Sequence, residues 1–113
     1  MTANLISGII NRVLIGARKG GGLYENAIMA LLVRKGYEPY YFMPKSNLAE
    51  VDFLIERDGA IVPIEVKAGN EASRSFDRML ARDDIHIGYK FINGNVGHQG
   101  KKVTLPHYMV MFV

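Results

Sequence analysis

Asp58-Gly59 sits between two runs rich in Val, Ile, Leu and Phe, at 51–55 and 61–66. Both positions of a tight two-residue hairpin loop need positive φ, which this dipeptide tolerates, so the stretch predicts a hairpin turning there. With Asp58-Gly59 as the whole loop, Arg57 faces Ala60, Ile55 faces Val62, Asp52 faces Glu65 and Glu50 faces Lys67. Side chains alternate along a strand. Glu50, Asp52, Glu65 and Lys67 therefore share one face, and Val51, Phe53, Ile55, Ile64 and Val66 take the other as core. A loop longer by one residue would shift every pairing.

Like charges directly opposed in a sheet, with Cβ atoms about 4.5–5.5 Å apart, are destabilising, so Asp52 opposite Glu65 needs a reason. One reason is a divalent cation between them, since Mg²⁺ takes oxygen ligands and is held by one or two carboxylates plus waters. Lys67, one pleat beyond Glu65, would then hold the water. The plain alternative is a solvated face with a cross-strand ion pair, and periodicity alone favours it.

The 113 residues fit one domain, and 49% hydrophobic content supports a real core. The absence of cysteine excludes disulfides, thiolate zinc sites and cysteine nucleophiles, and fits a cytoplasmic protein. A formal charge of +3 permits contact with nucleic acid without demanding it. No run reaches the roughly 18 apolar residues of a membrane span, and the apolar stretch 5–15 is interrupted by Asn11 and Arg12. No membrane role is expected.

Leu5, Ile6, Ile9, Ile10, Val13 and Leu14 form a helical stripe, followed by a glycine-rich connection over 16–22. That connection lacks the G-x-x-x-x-G-K-[ST] pattern of a phosphate-binding loop. Residues 1–22 are thus read as a lead-in and linker, and 23–113 as the domain. Residues 23–35 predict a helix stopped by Gly36, apolar around most of its circumference and hence expected to be well buried. Tyr40, Tyr41 and Phe42 mark a strand over 37–43 whose aromatics suit a core. After the hairpin, 74–83 reads as a helix burying Phe76, Met79 and Leu80. Arg74, Arg78 and Arg82 recur at four-residue spacing on one face of it, either a solvated face paired with Asp77 or a stripe tracking phosphates. Residues 85–92 predict a strand parallel to 61–67, because a strand–helix–strand passage makes a right-handed crossover. A mobile basic tip at 97–102 and a short strand at 103–105 follow. The segment from Pro106 suits a brief helix or a last strand. His86, His98 and His107 show no metal-ligand spacing and read as surface or loop residues.

Asp52, followed across a short hairpin by Glu65-Val66-Lys67, resembles the PD-(D/E)xK nuclease superfamily. Most of the chain resembles the C-terminal nuclease-like domain that follows the motor in a family of bacterial and archaeal AAA-type ATPases. The pieces that carry this are Gly22-Leu23-Tyr24-Glu25-Asn26, Glu50-Val51-Asp52-Phe53, Pro63-Ile64-Glu65-Val66-Lys67, Ser75-Phe76 and Pro106-His107-Tyr108-Met109, in the family's order. Val51 departs from the proline of the superfamily's namesake. The resemblance implies an α/β, restriction-endonuclease-like fold: helix, three-strand antiparallel meander, helix and strand, with a central mixed sheet flanked by helices. It implies that Asp52, Glu65 and the Val66 carbonyl hold Mg²⁺ or Mn²⁺, with Glu25 binding a metal or water from the first helix. Lys67 would orient the attacking water and oppose charge at phosphorus. The implied activity is metal-dependent phosphodiester hydrolysis of nucleic acid, DNA foremost, with an ATPase motor domain as partner; Arg74 and Arg78, by their spacing rather than by the resemblance, are the expected contacts to the nucleic-acid backbone. The alternative is a non-catalytic accessory or regulatory module of such an ATPase, binding nucleic acid or a partner.

Overall fold

The computed structural model describes residues 23–40 and 53–113. Expectations placed on 1–22 and 41–52, among them the N-terminal stripe, the glycine-rich connection, most of the 37–43 strand, Glu50 and Asp52, lie outside the described residues. The elements are α1 (Leu23–Arg34), β1 (Phe53–Arg57), β2 (Ala60–Val66), α2 (Arg74–Leu80), β3 (Gly88–Ile92), β4 (Gly97–Gln99), β5 (Lys102–Pro106) and a closing 3-10 helix (His107–Phe112). They form an α/β fold around a mixed five-stranded sheet in the order β1-β2-β3-β5-β4, flanked by helices.

The hairpin forms as its turn predicts. Asp58 and Gly59 both have positive φ, 53° and 80°, and pairing runs from Arg57↔Ala60 through Ile55↔Val62 to Phe53↔Ile64. Tyr40 and Leu54 exchange both backbone hydrogen bonds, at 2.8 and 2.7 Å, so the chain before the hairpin pairs with the outer edge of β1. The expected crossover is present as well: β2 pairs parallel to β3, with Ile64↔Tyr89, Glu65↔Lys90 and Val66↔Phe91. Pro63 has no N–H to give, and the β2–β3 ladder starts one residue after it.

Two apolar layers close over the sheet. On one face α1 and the 3-10 helix cover Phe53, Ile55, Val62, Ile64, Tyr89 and Phe91. On the other, α2 presents Phe76, Met79 and Leu80 to Leu54, Ile61, Ile85 and Tyr40. Gly88 lets α2 come this close: a Cβ there would lie 2.5 Å from Leu80 Cδ2 and 3.0 Å from Phe76 Cζ. α1 stops in a Schellman motif, with Gly36 at φ 100°, the Gly36 N–H on Val33 O and the Tyr37 N–H on Leu32 O.

Several expectations need correction. α1 buries one side, at Glu25, Ile28, Met29 and Leu32, while Ala27, Ala30 and Val33 are exposed. An all-round apolar helix needs neighbours on all sides, and among the described residues α1 has the sheet and the 3-10 helix. α2 ends at Leu80, because the chain must turn at 81–85 to bury Ile85 against it. The 97–102 segment contains an edge strand: β4 pairs antiparallel to β5 around Gly100, whose φ is 58°. The alternatives left open after Pro106 resolve to the 3-10 helix.

Candidate active site at the end of strand β2

Alternation sends Ile64 and Val66 to the α1 face, so Glu65 and Lys67 point to the α2 face. Glu65 is 5% exposed, and Lys67 Nζ stands 3.6 Å from its Oε2. The Lys67 N–H donates to Phe91 O at 2.9 Å. Backbone groups alternate in direction along a strand, so the preceding carbonyl, that of Val66, is directed to the β1 side.

β3 adds a residue that the motif reading missed. Lys90 lies directly beside Glu65 in register and is 6% exposed. Its Nζ donates to Glu71 O at 2.6 Å, pinning the loop that leaves β2. The same loop is held by Asn93 N–H to Gly69 O and by Gly69 N–H to Glu71 Oε1. Burial holds the Lys90 ammonium below its ordinary pKa; Lys102 and Lys67 push the same way, against the opposing pull of Asp77 and Glu65. Next along the sheet, Lys102 Nζ pairs with Asp77 Oδ1 of α2 at 2.8 Å. This face therefore carries a row of charges, Lys67, Glu65, Lys90, Lys102 and Asp77, beside the apolar α2 core.

A second set of contacts fixes the end of β2 from the α1 side. His107 Nε2 donates to the Lys67 carbonyl oxygen at 2.6 Å, and Tyr24 stacks on the His107 ring at 4.3 Å between centroids. The first turn of α1, and with it the buried Glu25, is thereby tied to the C-terminal end of β2, although α1 itself packs on the opposite face. A carboxylate in that turn is favoured by the helix N-terminus. His107 is thus a half-buried structural link rather than an ordinary loop residue.

Of the residues expected to act, Glu65, Val66 and Lys67 come together at the end of β2, while Glu25 is buried in the first turn of α1, the helix on the opposite face of the sheet. Asp52 lies outside the described residues, one step beyond the last described pair, Phe53↔Ile64. Arg74 and Arg78 are exposed on α2, the helix covering the Glu65 face. Asp77 pairs with Lys102, and Arg82 with Asp84. Among the described residues no group of three or more His, Asp or Glu side chains is placed to hold a metal, and no helix is long and apolar enough to cross a membrane. Lys90 did have a sequence signal: it is the one charge in Tyr89-Lys90-Phe91-Ile92, a run that the crossover rule places beside 61–67. The Tyr24–His107 contact joins residues too far apart in sequence for any spacing rule.

Residues 20–108 match the family model described as "Domain of unknown function (DUF4143)", a domain associated with the C-terminal regions of AAA-type ATPases. The chain belongs to this family. No curated protein and no solved structure matches it.

Proposed function

We propose that the domain hydrolyses phosphodiester bonds of nucleic acid, DNA foremost, in a metal-dependent reaction, on a restriction-endonuclease-like version of its fold and in the cytoplasm. The observation that carries this reading is the buried Glu65 with Lys67 at 3.6 Å on the same face, at the end of a hairpin whose described register runs from Arg57↔Ala60 to Phe53↔Ile64. The donor set suits a hard divalent ion: a carboxylate and the Val66 carbonyl, both oxygen, with Asp52 as the further carboxylate and Glu25 at the side. When bound, such an ion supplies Lewis acidity at the phosphoryl oxygen and lowers the pKa of water. Lys67 orients the attacking water and opposes charge as it builds on phosphorus. The hydrogen bond from His107 to the Lys67 carbonyl holds that residue's backbone in place. Arg74 and Arg78, exposed on the same side, track the phosphates of the bound strand.

One observation favours a second reading. Lys67 and Lys90 both stand beside Glu65, which is how a carboxylate compensated for purely structural reasons would look. On that reading the domain is an accessory or regulatory module that binds nucleic acid or a partner for an ATPase motor.

Cleavage of single- and double-stranded DNA by wild type and Lys67→Ala, with Mg²⁺, with Mn²⁺ and with EDTA, separates the two. Hydrolysis predicts metal-dependent cutting that Lys67→Ala abolishes while DNA affinity changes little, because the lysine acts mainly in the transition state. Arg74→Ala and Arg78→Ala should instead lower affinity and its salt slope, by about one phosphate contact each. Activity that survives Lys67→Ala, or no cutting under any condition, favours the module.

A further inference from the structure

Beyond β3 the α2 face changes character. α2 covers Leu54, Ile61 and Ile85 on that face. Val103 and Leu105 pack on the α1 side, so Lys102 and Thr104 turn to the α2 side. Gln99 joins them, because it stands opposite Lys102 in register. Gln99 is exposed and Lys102 and Thr104 are half-buried, so among the described residues this part of the sheet is an open floor rather than a covered core. Its wall is the side of α2 that carries Arg74, Asp77 and Ala81, at i, i+3 and i+7. Asp77, Leu80, Ala81, Gln99, Lys101 and Lys102 line an open cleft of about 340 Å³ between wall and floor.

Both lysines of the cleft are held in place. Lys102 Nζ donates to Asp77 Oδ1 at 2.8 Å, and Lys101 Nζ donates to Arg82 O at 2.9 Å. An ammonium has three donors, so each lysine keeps two for a ligand. Side chains already fixed lose less freedom when an anion arrives. Burial first, and then the Lys102 ammonium, hold the Lys90 pKa down, so the cleft continues the charged row that starts at Lys67 and Glu65. Resting on the nucleic-acid part of the reading above, we propose that a single-stranded segment of DNA lies in this cleft, with phosphates on Lys101 and Lys102 and one base against Leu80, Ala81 and Gln99. The volume stands at the small end of the usual pocket range of about 300–1,000 Å³, which suits one nucleotide unit and not a duplex. A base outside its stack presents a face to Leu80 and Ala81 and an edge to the Gln99 amide, which both donates and accepts. The lysines hold the backbone without reading sequence. Asp77 positions Lys102 and at the same time repels the phosphate, so it sets the place of the strand and limits its affinity.

Fluorescence anisotropy tests the assignment on the 113-residue chain in EDTA, so that binding is read apart from cleavage. The probes are a labelled oligothymidylate, a DNA duplex of equal length and an oligoglutamate of equal charge. Wild type should bind the oligothymidylate tightest of the three. Lys101→Ala and Lys102→Met should each weaken that binding about fivefold or more, the effect of one charge at about 4 Å in water. Each should also reduce the salt slope by about 0.7, one single-strand phosphate contact. Lys101→Arg should bind like wild type, and Asp77→Asn should bind tighter, since one negative charge leaves the wall of the cleft. Arg34→Ala, exposed on α1 across the sheet, should match wild type. Unchanged binding in Lys101→Ala and Lys102→Met, a preference for the duplex, or an equal loss in Arg34→Ala would overturn the cleft and leave binding through Arg74 and Arg78 standing. Oligoglutamate bound as tightly as the oligothymidylate would overturn it too, as an anion site with no nucleic-acid character. No binding of either DNA by wild type would overturn the nucleic-acid reading and this inference together. If Lys102→Met does not fold, Lys101→Ala, which loses one surface bond to a backbone carbonyl, and Asp77→Asn still decide.

Discussion

The two faces of the sheet are built to different rules from the same strands. The α1 face is apolar from β1 across to β5, through Phe53, Ile64, Phe91 and Leu105, and closes under α1 and the 3-10 helix. The α2 face begins in the same way, with Leu54 and Ile61 under Phe76 and Leu80. It then turns charged at Glu65 and Lys90, with Lys67 and Lys102 on either side. Burying charge is costly unless it is paired, and even a paired charge is weak evidence for stability. The apolar face thus holds the domain together, and the charged row costs desolvation for little return in stability.

The comparison breaks first if the apolar face is not the stronger of the two. Phe91 is fully buried there, below Lys90 in the chain and on the opposite side of the sheet. Phe91→Ala should cost about 3–5 kcal/mol by the usual scale of buried aromatic truncation, measured by urea unfolding. Lys90→Met, one residue away and facing the charged row, should cost less, about 1–3 kcal/mol, for the lost bond to Glu71 O and the poorer compensation of Glu65. Glu65→Gln should then be less damaging in the Lys90→Met background than in wild type, with a coupling of about 0.5–3 kcal/mol. Additive effects would mean that the row is a set of independent charges rather than a unit.

How far each face was legible follows from what carries it. The Asp58-Gly59 turn is a local signal, and it placed the hairpin and the side of the sheet on which Glu65 and Lys67 point. The parallel pairing of β3 followed from handedness. Side-chain period alone says which residues share a face, not which element covers it, and so α1, apolar around most of its circumference, reads as well buried when one side of it is. Lys90 escapes the motif because the motif is confined to the hairpin, whereas Glu65 and Lys90 meet across the crossover from β2 to β3. His107 reaches the Lys67 carbonyl from 40 residues away, through a 3-10 helix that sequence pattern could not tell from a strand. Asp52 and Glu50 belong to the sequence reading alone.

A sharper form of the comparison sets the buried row against an exposed ion pair on the same side. Arg82 bonds Asp84 through Nε and Nη2 at 3.0 and 2.9 Å. The Arg82 hydrogen bond holds the Asp84 carboxyl below its ordinary pKa, against a smaller opposing effect of burial. A carboxyl with a depressed folded pKa adds stability above its unfolded pKa and loses it as pH falls through the folded value. Arg82 is exposed and Asp84 half-buried, 47% and 30%, so solvent screening limits the pair to about 0–1 kcal/mol. Asp84→Asn should therefore cost under about 1 kcal/mol at pH 7. The gap from wild type should close as pH falls below the ordinary aspartate range near 3.8, and should shrink in high salt. A cost above that of Lys90→Met would reverse the ranking of exposed and buried charge.

The smallest effect is expected at the start of α2. Ser73 precedes the helix, and its carbonyl accepts the first helical bond from the Asp77 N–H at 2.9 Å. Serine in that place ordinarily caps with its hydroxyl, and its loss costs about 1 kcal/mol. Here the side chain makes no capping bond. Ser73 is 4% exposed, and its Oγ is the buried side-chain atom left without a hydrogen-bond partner among the described residues. A buried hydroxyl in that position carries its desolvation cost with no bond to offset it. Ser73→Ala should thus leave stability unchanged or raise it slightly, in contrast to an ordinary cap. Ser73 also lies two residues beyond Glu71, whose carbonyl receives Lys90, so the hydroxyl belongs to the loop that borders the charged row. Thermal unfolding of Ser73→Ala beside Lys90→Met makes the test: a loss of about 1 kcal/mol or more in Ser73→Ala would give this hydroxyl a partner in solution, and the border of the row would then share its polar wiring rather than merely abut it.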